Sequence, residues 1–258
     1  MSEPKYSYRG MMVQYWDLLR SDTSHWSSSP YFLKIIRESG EPALDVACGT
    51  GRLLLDYLAQ GVDIDGVDIP PEMIDACRVK VTEEGLSPNL YVQPMQDLDL
   101  PRHYRTIIVP SSSFLYLTDV GDANRALLRF YEHMQPGGTL AMSMKVFEPD
   151  PSAEEWEMIE EVVRPGDGAV VRRWFRCRYV VPRRLQHTED RYEILGNGET
   201  VESEMFNASP YLTWYTVSEA VGFLQAAGFT DVHTHSDFTF EPASDEDTSF
   251  IVLGRRPE

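Results

Sequence analysis

The most informative feature for the fold of this chain is a short apolar run that leads directly into a glycine-containing turn. Residues 43–47 have the length and character of a buried strand, and the run LDVACGTG occupies residues 44–51. A helix-like segment, Arg52–Gln60, follows at once. Glycines at such a turn let the backbone approach a ligand closely, and the helix start directs free N–H groups toward it. The turn therefore predicts a ligand site at the carboxyl end of this strand.

The same alternation of strands and helices continues along much of the chain. Further strands are predicted at 62–67, 90–93, 106–109, 139–146, 229–237 and 249–254, with helices at 70–83, 122–134 and 216–227. Strands that alternate with helices favour a mostly parallel sheet with right-handed crossovers. We therefore expect an α/β fold built on a doubly wound, mostly parallel, seven-stranded sheet of the Rossmann-like type.

Residues 147–210 interrupt this alternation after the fifth strand. An acidic helix is predicted at 153–163, followed by three antiparallel strands at 169–181, 185–195 and 199–207. Helices are also predicted near the N-terminus, at 8–20 and 30–38. These patterns divide the chain into an N-terminal helical lid at 1–40, an α/β domain at 41–146 and 211–258, and an inserted antiparallel β cover or substrate subdomain at 147–210.

Composition narrows the classes of partner. The 258-residue chain has a formal net charge of −18, which disfavours nucleic acid and anionic membranes as partners because a polyanion would be repelled. No apolar run approaches the roughly 18–20 residues of a membrane span, and no secretory signal is evident. Three distant cysteines indicate neither a disulfide framework nor a zinc site, so we expect a cytoplasmic protein without a metal.

Two carboxylates accompany the glycine turn. Asp45 precedes the glycines, and Asp68 ends the second strand, where a carboxylate can accept both ribose hydroxyls. A nicotinamide-binding domain uses a similar arrangement, but its fingerprint requires a third glycine at the position of Leu54. The run LDVACGTGRLL…GVDIPPEMIDACR resembles the class I S-adenosylmethionine-dependent methyltransferases, particularly those acting on small molecules. The resemblance is good over residues 40–146.

The resemblance implies a set of cofactor contacts. Asp45 would face the methionine amino group, the turn would line the methionyl chain, and Asp68 would hold the ribose. The turn residues concerned are Ala47, Cys48, Gly49 and Gly51. Around the adenine the resemblance places Ile69, Met73, Met95 and Gln96. It also places Ser111 near the methionyl part and an aromatic lid, Tyr15 and Trp16, over the cofactor. Ordinary helix packing is the alternative explanation for the two aromatic residues.

Acceptor binding is assigned to two other segments. The loop after the fourth strand contains Ser113, Phe114 and Tyr116, which would face the acceptor; a helix N-cap and core aromatics are the alternative. His187 in the insertion is the best placed base, although a surface strand residue is the simpler interpretation. The arginines of the insertion would either recognise an anionic group on the acceptor or pair with neighbouring glutamates. The insertion also offers a surface for a homodimer.

These observations predict an enzyme that transfers a methyl group from S-adenosylmethionine to a nitrogen or oxygen of a small molecule, releasing S-adenosylhomocysteine. Methyl transfer requires alignment and a dry pocket more than acid–base groups. No catalytic residue is therefore assigned. The alternative is a noncatalytic, regulatory protein that binds the same cofactor.

Overall fold

The computed structural model describes residues 8–21 and 27–258 and groups them into two compact units. One unit contains residues 27–147 and 214–258, and the other contains 8–21 and 148–213. The helices are α1 (Gly10–Gln14), α2 (Trp16–Leu19), α3 (Ser28–Ser39), α4 (Arg52–Ala59), α5 (Pro71–Glu83), α6 (Val120–His133) and α7 (Val217–Ala226). The strands are β1 (Ala43–Val46), β2 (Ile64–Asp68), β3 (Leu90–Val92), β4 (Tyr104–Val109), β5 (Met134–Lys145), β6 (Glu157–Val163), β7 (Val170–Val180), β8 (Leu185–Gly196), β9 (Glu199–Thr213), β10 (Thr230–Ser236) and β11 (Ser249–Arg255).

The larger unit contains the expected seven-stranded sheet, in the order β10-β11-β5-β4-β1-β2-β3. The five strands from β3 to β5 in this order are parallel, whereas β11 is antiparallel to both β5 and β10. The direction of chain progression reverses between β1 and β4. In open α/β sheets, ligands bind at such a switch point, outside the carboxyl ends of the strands. The prediction of a doubly wound, mostly parallel sheet is confirmed.

The core of this unit explains why α3 belongs to it. Phe32 and Ile36 on α3 are fully buried, in a cluster that also contains Leu54 and Tyr57 of α4 and Ile64 of β2. The N-terminal segment predicted at 1–40 includes α3, but the apolar face of this helix packs with the α/β unit. Burying side chains of this size stabilises a fold by roughly 1.5–3 kcal/mol each, which ties α3 to the sheet.

The smaller unit is a four-stranded antiparallel sheet in the order β6-β7-β8-β9. A turn at Asn197 and Gly198, both with positive φ, joins β8 to β9. Met11, Met12 and Tyr15 from the N-terminal helices pack in one apolar cluster with residues of β7 and β8. The antiparallel insertion after the fifth strand is thus present, and residues 8–21 pack with it.

Three local predictions differ from the structure. The acidic helix predicted at 153–163 is wrong: Pro151–Glu154 is a short 3-10 helix and β6 follows. Glu160 and Glu161 on β6 pair with arginines of β7, and this strand pairing overrides the helical propensity of the acidic sequence. The helix predicted at 8–20 is interrupted at Tyr15, and β9 extends to Thr213. Within the described part of the chain, no helix has the length and apolarity to span a membrane.

Candidate functional site

The backbone after β1 forms a tight turn with several residues in the left-handed region. Ala47, Gly49 and Gly51 have φ values of 61°, 58° and 92°. The amides of Ala47 and Cys48 both donate to the carbonyl of Val67 on β2, at 2.8 and 3.2 Å. The turn is therefore fixed to the neighbouring strand, and α4 begins directly after Gly51. A left-handed conformation costs an alanine about 1–2 kcal/mol, so Ala47 carries backbone strain at this position.

Asp68 lies at the end of β2 and connects the two loops. Its Oδ2 accepts a hydrogen bond from the Gly49 amide at 2.7 Å, and its Oδ1 accepts one from the Ile69 amide at 2.7 Å. Burial raises the pKa of Asp68 to about 6, although these two hydrogen bonds act in the opposite direction. The structure thus brings the predicted ribose-binding carboxylate against the glycine turn. A Cβ added at Gly49 would have Asp68 Oδ2, 4.0 Å away, as its nearest neighbour, so there is space beside this turn.

Asp45 is the most unusual group in this unit. Its side chain is 1% exposed, and its Oδ1 has no hydrogen-bond partner among the described residues. Burial raises the pKa of Asp45 to about 8; the nearby charge of Asp68 adds to the rise and Arg52 opposes it. An unpaired buried carboxylate costs considerable free energy unless a ligand supplies the missing partner. Asp45 therefore marks a position that favours a cationic or amino-bearing ligand.

A second strained turn follows β4, on the other side of the switch point. Ser111 and Ser112 have φ values of 56° and 55°, and the Ser112 amide donates to Ser143 Oγ on β5 at 2.8 Å. Two consecutive non-glycine residues in the left-handed region are uncommon, and such strain is frequent at functional sites. Ser111 is exposed at this turn.

The other predicted cofactor residues lie on nearby elements of the same unit. Ile69 follows β2 and is partly exposed, whereas Met73 on α5 is 2% exposed. Met95 and Gln96 lie in a 3-10 helix after β3 and are partly exposed. Cys48 is buried in the turn, and its thiol has a pKa raised mainly by burial. The geometry places Ile69 directly beside Asp68, and the adenine-binding roles stay predictions.

The predicted acceptor segment is more deeply buried than its sequence implied. Phe114 is fully buried, and Ser113 donates from its Oγ to the Pro110 carbonyl at 2.8 Å. Phe114 matches the alternative of a core aromatic. The helix N-cap is not formed, because Ser113 donates to a carbonyl and the 3-10 helix Ser113–Tyr116 has no side-chain cap. Tyr116, at the end of the same 3-10 helix, is partly exposed. Of these three residues, Tyr116 has the most accessible side chain for contact with a small molecule.

Tyr15 and Trp16 lie in the smaller unit. Tyr15 is 3% exposed in the apolar cluster of the N-terminal helices, and its hydroxyl accepts a hydrogen bond from Arg164 at 2.6 Å. Arg20 stacks over the Trp16 ring at 3.7 Å. Helix packing therefore accounts for the contacts of both rings within their unit. Their role as a lid stays a prediction.

His187 and the arginines of the insertion also lie in the smaller unit. Four of these arginines pair with acidic residues on neighbouring strands or on their own strand: Arg172 with Glu161, Arg173 with Asp190, Arg176 with Glu189, and Arg191 with Glu193. Pairing with acidic residues, one of the two alternatives from the sequence, thus describes these four. His187 is partly exposed on β8, and its Nδ1 lies 2.6 Å from Ser209 Oγ.

Two further residues of the larger unit support the site and are not predicted by the sequence patterns. Arg52 begins α4, and its charge acts on Asp45. Ser143 holds the strained turn after β4. A basic residue directly after Gly51 and a serine inside an apolar strand were the available signals. Across residues 8–21 and 27–258, no group of three or more His, Cys, Asp or Glu side chains is arranged to hold a metal ion.

Comparison with known proteins gives a consistent result. A family model described as a methyltransferase domain matches residues 43–138. A dTDP-3-amino-3,4,6-trideoxy-alpha-D-glucopyranose N,N-dimethyltransferase from Streptomyces venezuelae is 29% identical over 150 residues. That alignment covers 58% of this chain and 55% of the relative, so the chain matches about half of the length of that enzyme.

Solved structures extend the similarity to nearly the whole chain at the level of fold. An S-adenosylmethionine-dependent methyltransferase from Clostridium acetobutylicum superposes with a TM-score of 0.75 at 16% identity, covering 95% of this chain and 97% of that one. The sugar N-methyltransferase KedS8 from Streptoalloteichus gives a TM-score of 0.70 at 22% identity, covering 94% and 93%. At these identities the superpositions establish a shared fold and not a shared acceptor.

Proposed function

We propose that the chain methylates an amino group of a small molecule with S-adenosylmethionine as the methyl donor and an amino sugar as the class of acceptor. The methyltransferase-domain model over residues 43–138 and the Streptomyces venezuelae relative support this function. S-Adenosylhomocysteine is then the second product. The observation that carries the proposal is the pair of carboxylates around the glycine turn, the buried Asp45 and the partly exposed Asp68. The choice of an amino sugar is supported by the name of the Streptomyces venezuelae relative.

The residues around the turn fit this cofactor. Asp45 offers an unpartnered, buried carboxylate oxygen to an ammonium group, and Asp68 offers carboxylate oxygens to ribose hydroxyls. The open side of Gly49 admits a ligand against the backbone. Ile69 and Met73 supply apolar surface for an adenine, and Met95 and Gln96 supply polar and apolar contacts from the next loop. Ser111 extends the same edge of the sheet.

When bound, S-adenosylmethionine would supply an electrophilic methyl carbon on a sulfonium. The lone pair of an unprotonated amine would form the N–C bond as the C–S bond breaks, S-adenosylhomocysteine would leave as a neutral thioether, and the methylated ammonium would release a proton to solvent. The chain then has to orient the acceptor and exclude water. Phe114 is fully buried and helps to exclude water from the loop after β4. Tyr116 is partly exposed in the same loop, and its side chain would position the acceptor. An amine acceptor needs no strong base, since it reacts in its neutral form.

The competing function is binding of the same cofactor without methyl transfer. Both functions require Asp45 and Asp68, so cofactor affinity does not separate them. Turnover does: methylated product should form from at least one member of a panel of amino sugars. Saturable cofactor binding with no product from amino sugars, other amines or hydroxyl compounds would favour the noncatalytic function.

The decisive test of the cofactor site is calorimetric titration with S-adenosylhomocysteine of the wild type and of Asp68→Ala. Removing two hydrogen bonds to a charged group should weaken binding about 100-fold. Asp75→Ala, which removes an exposed carboxylate from α5, is the matched control and should bind normally. Asp68→Asn, which retains one oxygen, tests whether a loss reflects local unfolding. No binding by folded wild-type protein would refute the proposal.

A further inference from the structure

A pocket of about 310 Å³ lies on the four-stranded sheet, within the smaller unit. It crosses strands β7, β8 and β9 and reaches the 3-10 helix that precedes β6. Its lining side chains are mostly polar or charged: Glu154, Arg176, Cys177, Arg178, His187, Thr188, Glu189, Asn207, Ala208 and Ser209. Its volume is at the lower end of the range for small-molecule sites, which is roughly 300–1,000 Å³. The methyltransferase site residues discussed above, apart from His187, do not line it.

The two arginines that line this pocket differ in whether an acidic residue pairs with them. Arg176 is paired with Glu189. Arg178, by contrast, is exposed and has no ion-pair partner in the described ranges 8–21 and 27–258. It lies directly opposite His187 in the antiparallel register of β7 and β8. The Cβ atoms of two directly opposite residues are about 5 Å apart. The Arg178 guanidinium and the His187 imidazole therefore lie on one face of the sheet, with no acidic residue between them.

Hydrogen bonding at His187 leaves a donor available. Its Nδ1 contacts Ser209 Oγ at 2.6 Å, whereas its Nε2 has no hydrogen-bond partner among the residues that the structure describes. Partial burial lowers the pKa of His187, and the charges of Arg178 and Arg183 lower it further. An anion beside Arg178 would offset these charges and favour the imidazolium form of His187. In that form Nδ1–H donates to Ser209 Oγ, so His187 Nε2–H, the Ser209 hydroxyl and the Arg178 guanidinium can all donate to the anion.

We propose that this pocket binds the phosphate group of a small molecule through Arg178, His187 and Ser209. A guanidinium fork, an imidazole N–H and a hydroxyl supply donors to the three terminal oxygens of a phosphate, one more oxygen than a carboxylate offers. Glu154, on the β7 side of the pocket, disfavours a second anionic group there. The site therefore takes a ligand with a single phosphate. This proposal goes beyond methyl transfer and does not depend on it.

The test is a calorimetric titration of the full chain with inorganic phosphate, at constant ionic strength. Arg178→Ala should weaken binding about tenfold, because it removes a charge-assisted contact. Arg178→Lys should lose less. Arg172→Ala is the matched control: it removes the same charge from the same face of β7, outside the pocket, and should leave the affinity unchanged. Glu154→Gln should strengthen binding severalfold by removing a repulsive charge.

A second readout is the titration of the His187 ring, followed by NMR. The charged groups around this ring are Arg176 and Arg178 on β7, Arg183 after β7, Glu189 on β8 and Glu154 before β6. Phosphate should raise the pKa of His187 in the wild type and in Arg172→Ala, and not in Arg178→Ala. If Arg178→Ala does not fold, His187→Gln should show the same loss of phosphate affinity.

Several outcomes would overturn the proposal. These are the absence of saturable phosphate binding, an equal loss in Arg172→Ala and Arg178→Ala, or acetate binding as tightly as phosphate. S-Adenosylhomocysteine binding is measured on the same variants. Because Arg178 is not part of the cofactor site, Arg178→Ala should bind S-adenosylhomocysteine normally. A result that refutes phosphate binding can therefore be distinguished from a result that refutes the proposed methyltransferase activity.

Discussion

The two units of the molecule treat buried carboxylates in opposite ways. In the four-stranded unit, Asp190 is buried and lies 2.7 Å from Arg173, which also contacts Glu160 at 3.2 Å. In the α/β unit, Asp45 is also buried, and its Oδ1 has no hydrogen-bond partner in the described part of the chain. A charge compensated within the chain stabilises the fold that supplies its partner. Burial raises the pKa of Asp45 to about 8, so the ligand-free chain holds this acid protonated at neutral pH, and the charge of Arg52 only partly offsets the cost of ionising it. An acid that lacks a partner until a ligand arrives is a binding acid, whereas a paired acid such as Asp190 is a structural one.

The largest effect is expected from breaking the compensated cluster. Arg173→Ala leaves Asp190 and Glu160 without their shared cation, and removing one partner of a buried pair costs about 3–5 kcal/mol. The measurement is urea unfolding followed by tryptophan fluorescence, since Trp156 and Trp174 lie in this unit.

Arg172→Ala is the control for this variant. It breaks a pair with Glu161 in which the side chains are 33% and 42% exposed. Exposed pairs contribute about 0–1 kcal/mol, so this variant should unfold almost as the wild type does. Equal losses in the two arginine variants would show that the position of a pair, buried or exposed, does not decide its contribution here.

The second-largest effect is the pH dependence of stability that the ionisation of Asp45 causes. Because burial raises the pKa of Asp45 to about 8, the folded chain retains a proton there that the unfolded chain releases near pH 4. Stability therefore falls as pH rises through this window, by up to about 1.4 kcal/mol per pH unit. Asp68, with a pKa of about 6, contributes in the same direction only at lower pH.

Asp45→Asn should remove this dependence between pH 6 and 8 in the ligand-free protein. The variant should be more stable than the wild type at pH 8 and should bind S-adenosylhomocysteine about tenfold more weakly, since a charged hydrogen bond becomes neutral. Denaturant unfolding at pH 6, 7 and 8 measures the first effect and calorimetry the second. A wild type whose stability rises over this range would contradict the assigned protonation of Asp45.

Sequence patterns predicted the α/β unit better than the insertion. Short apolar strands bounded by glycine or proline define their own ends, as in β1. A proline likewise marks the start of a helix, as at Pro71 in α5. In β6, the residues EMIEEVV carry a helix-favouring composition, and their partners on β7 lie beyond a loop in the sequence. Only the cross-strand pairing with Arg172 and Arg173 decides between helix and strand there.

The site was predictable where it depends on backbone chemistry. Glycines and a strand-terminal acid marked Gly49, Gly51 and Asp68, because few other residues fit those conformations and positions. Side-chain contacts between distant segments were not predictable. Ser143 supports the turn after β4 from thirty-one residues away, and Arg178 faces His187 through strand register. Such contacts depend on topology, which local patterns do not specify.

The smallest effect tests backbone strain in the turn after β1. Ala47→Gly should stabilise the chain by about 0.5–1 kcal/mol, since relief of the left-handed conformation exceeds the entropy that glycine adds to the unfolded state. Gly51→Ala is the opposite change: a Cβ there would lie 2.8 Å from Cys77 Sγ, at a φ of +92°, and should destabilise the chain. Thermal unfolding measures both.

Asn197→Gly, in the hairpin turn of the four-stranded unit, tests whether the backbone strain at Ala47 has a counterpart in the other unit. Asn197 has a φ of 53°, close to the 61° of Ala47, but asparagine tolerates this region because its side chain bonds locally. Its replacement should therefore change stability less than Ala47→Gly does. If the two glycine variants gain equally, strain is spread over the turns of the molecule. If Ala47→Gly alone gains, and S-adenosylhomocysteine affinity falls with it, the strain at Ala47 holds the turn in its binding conformation.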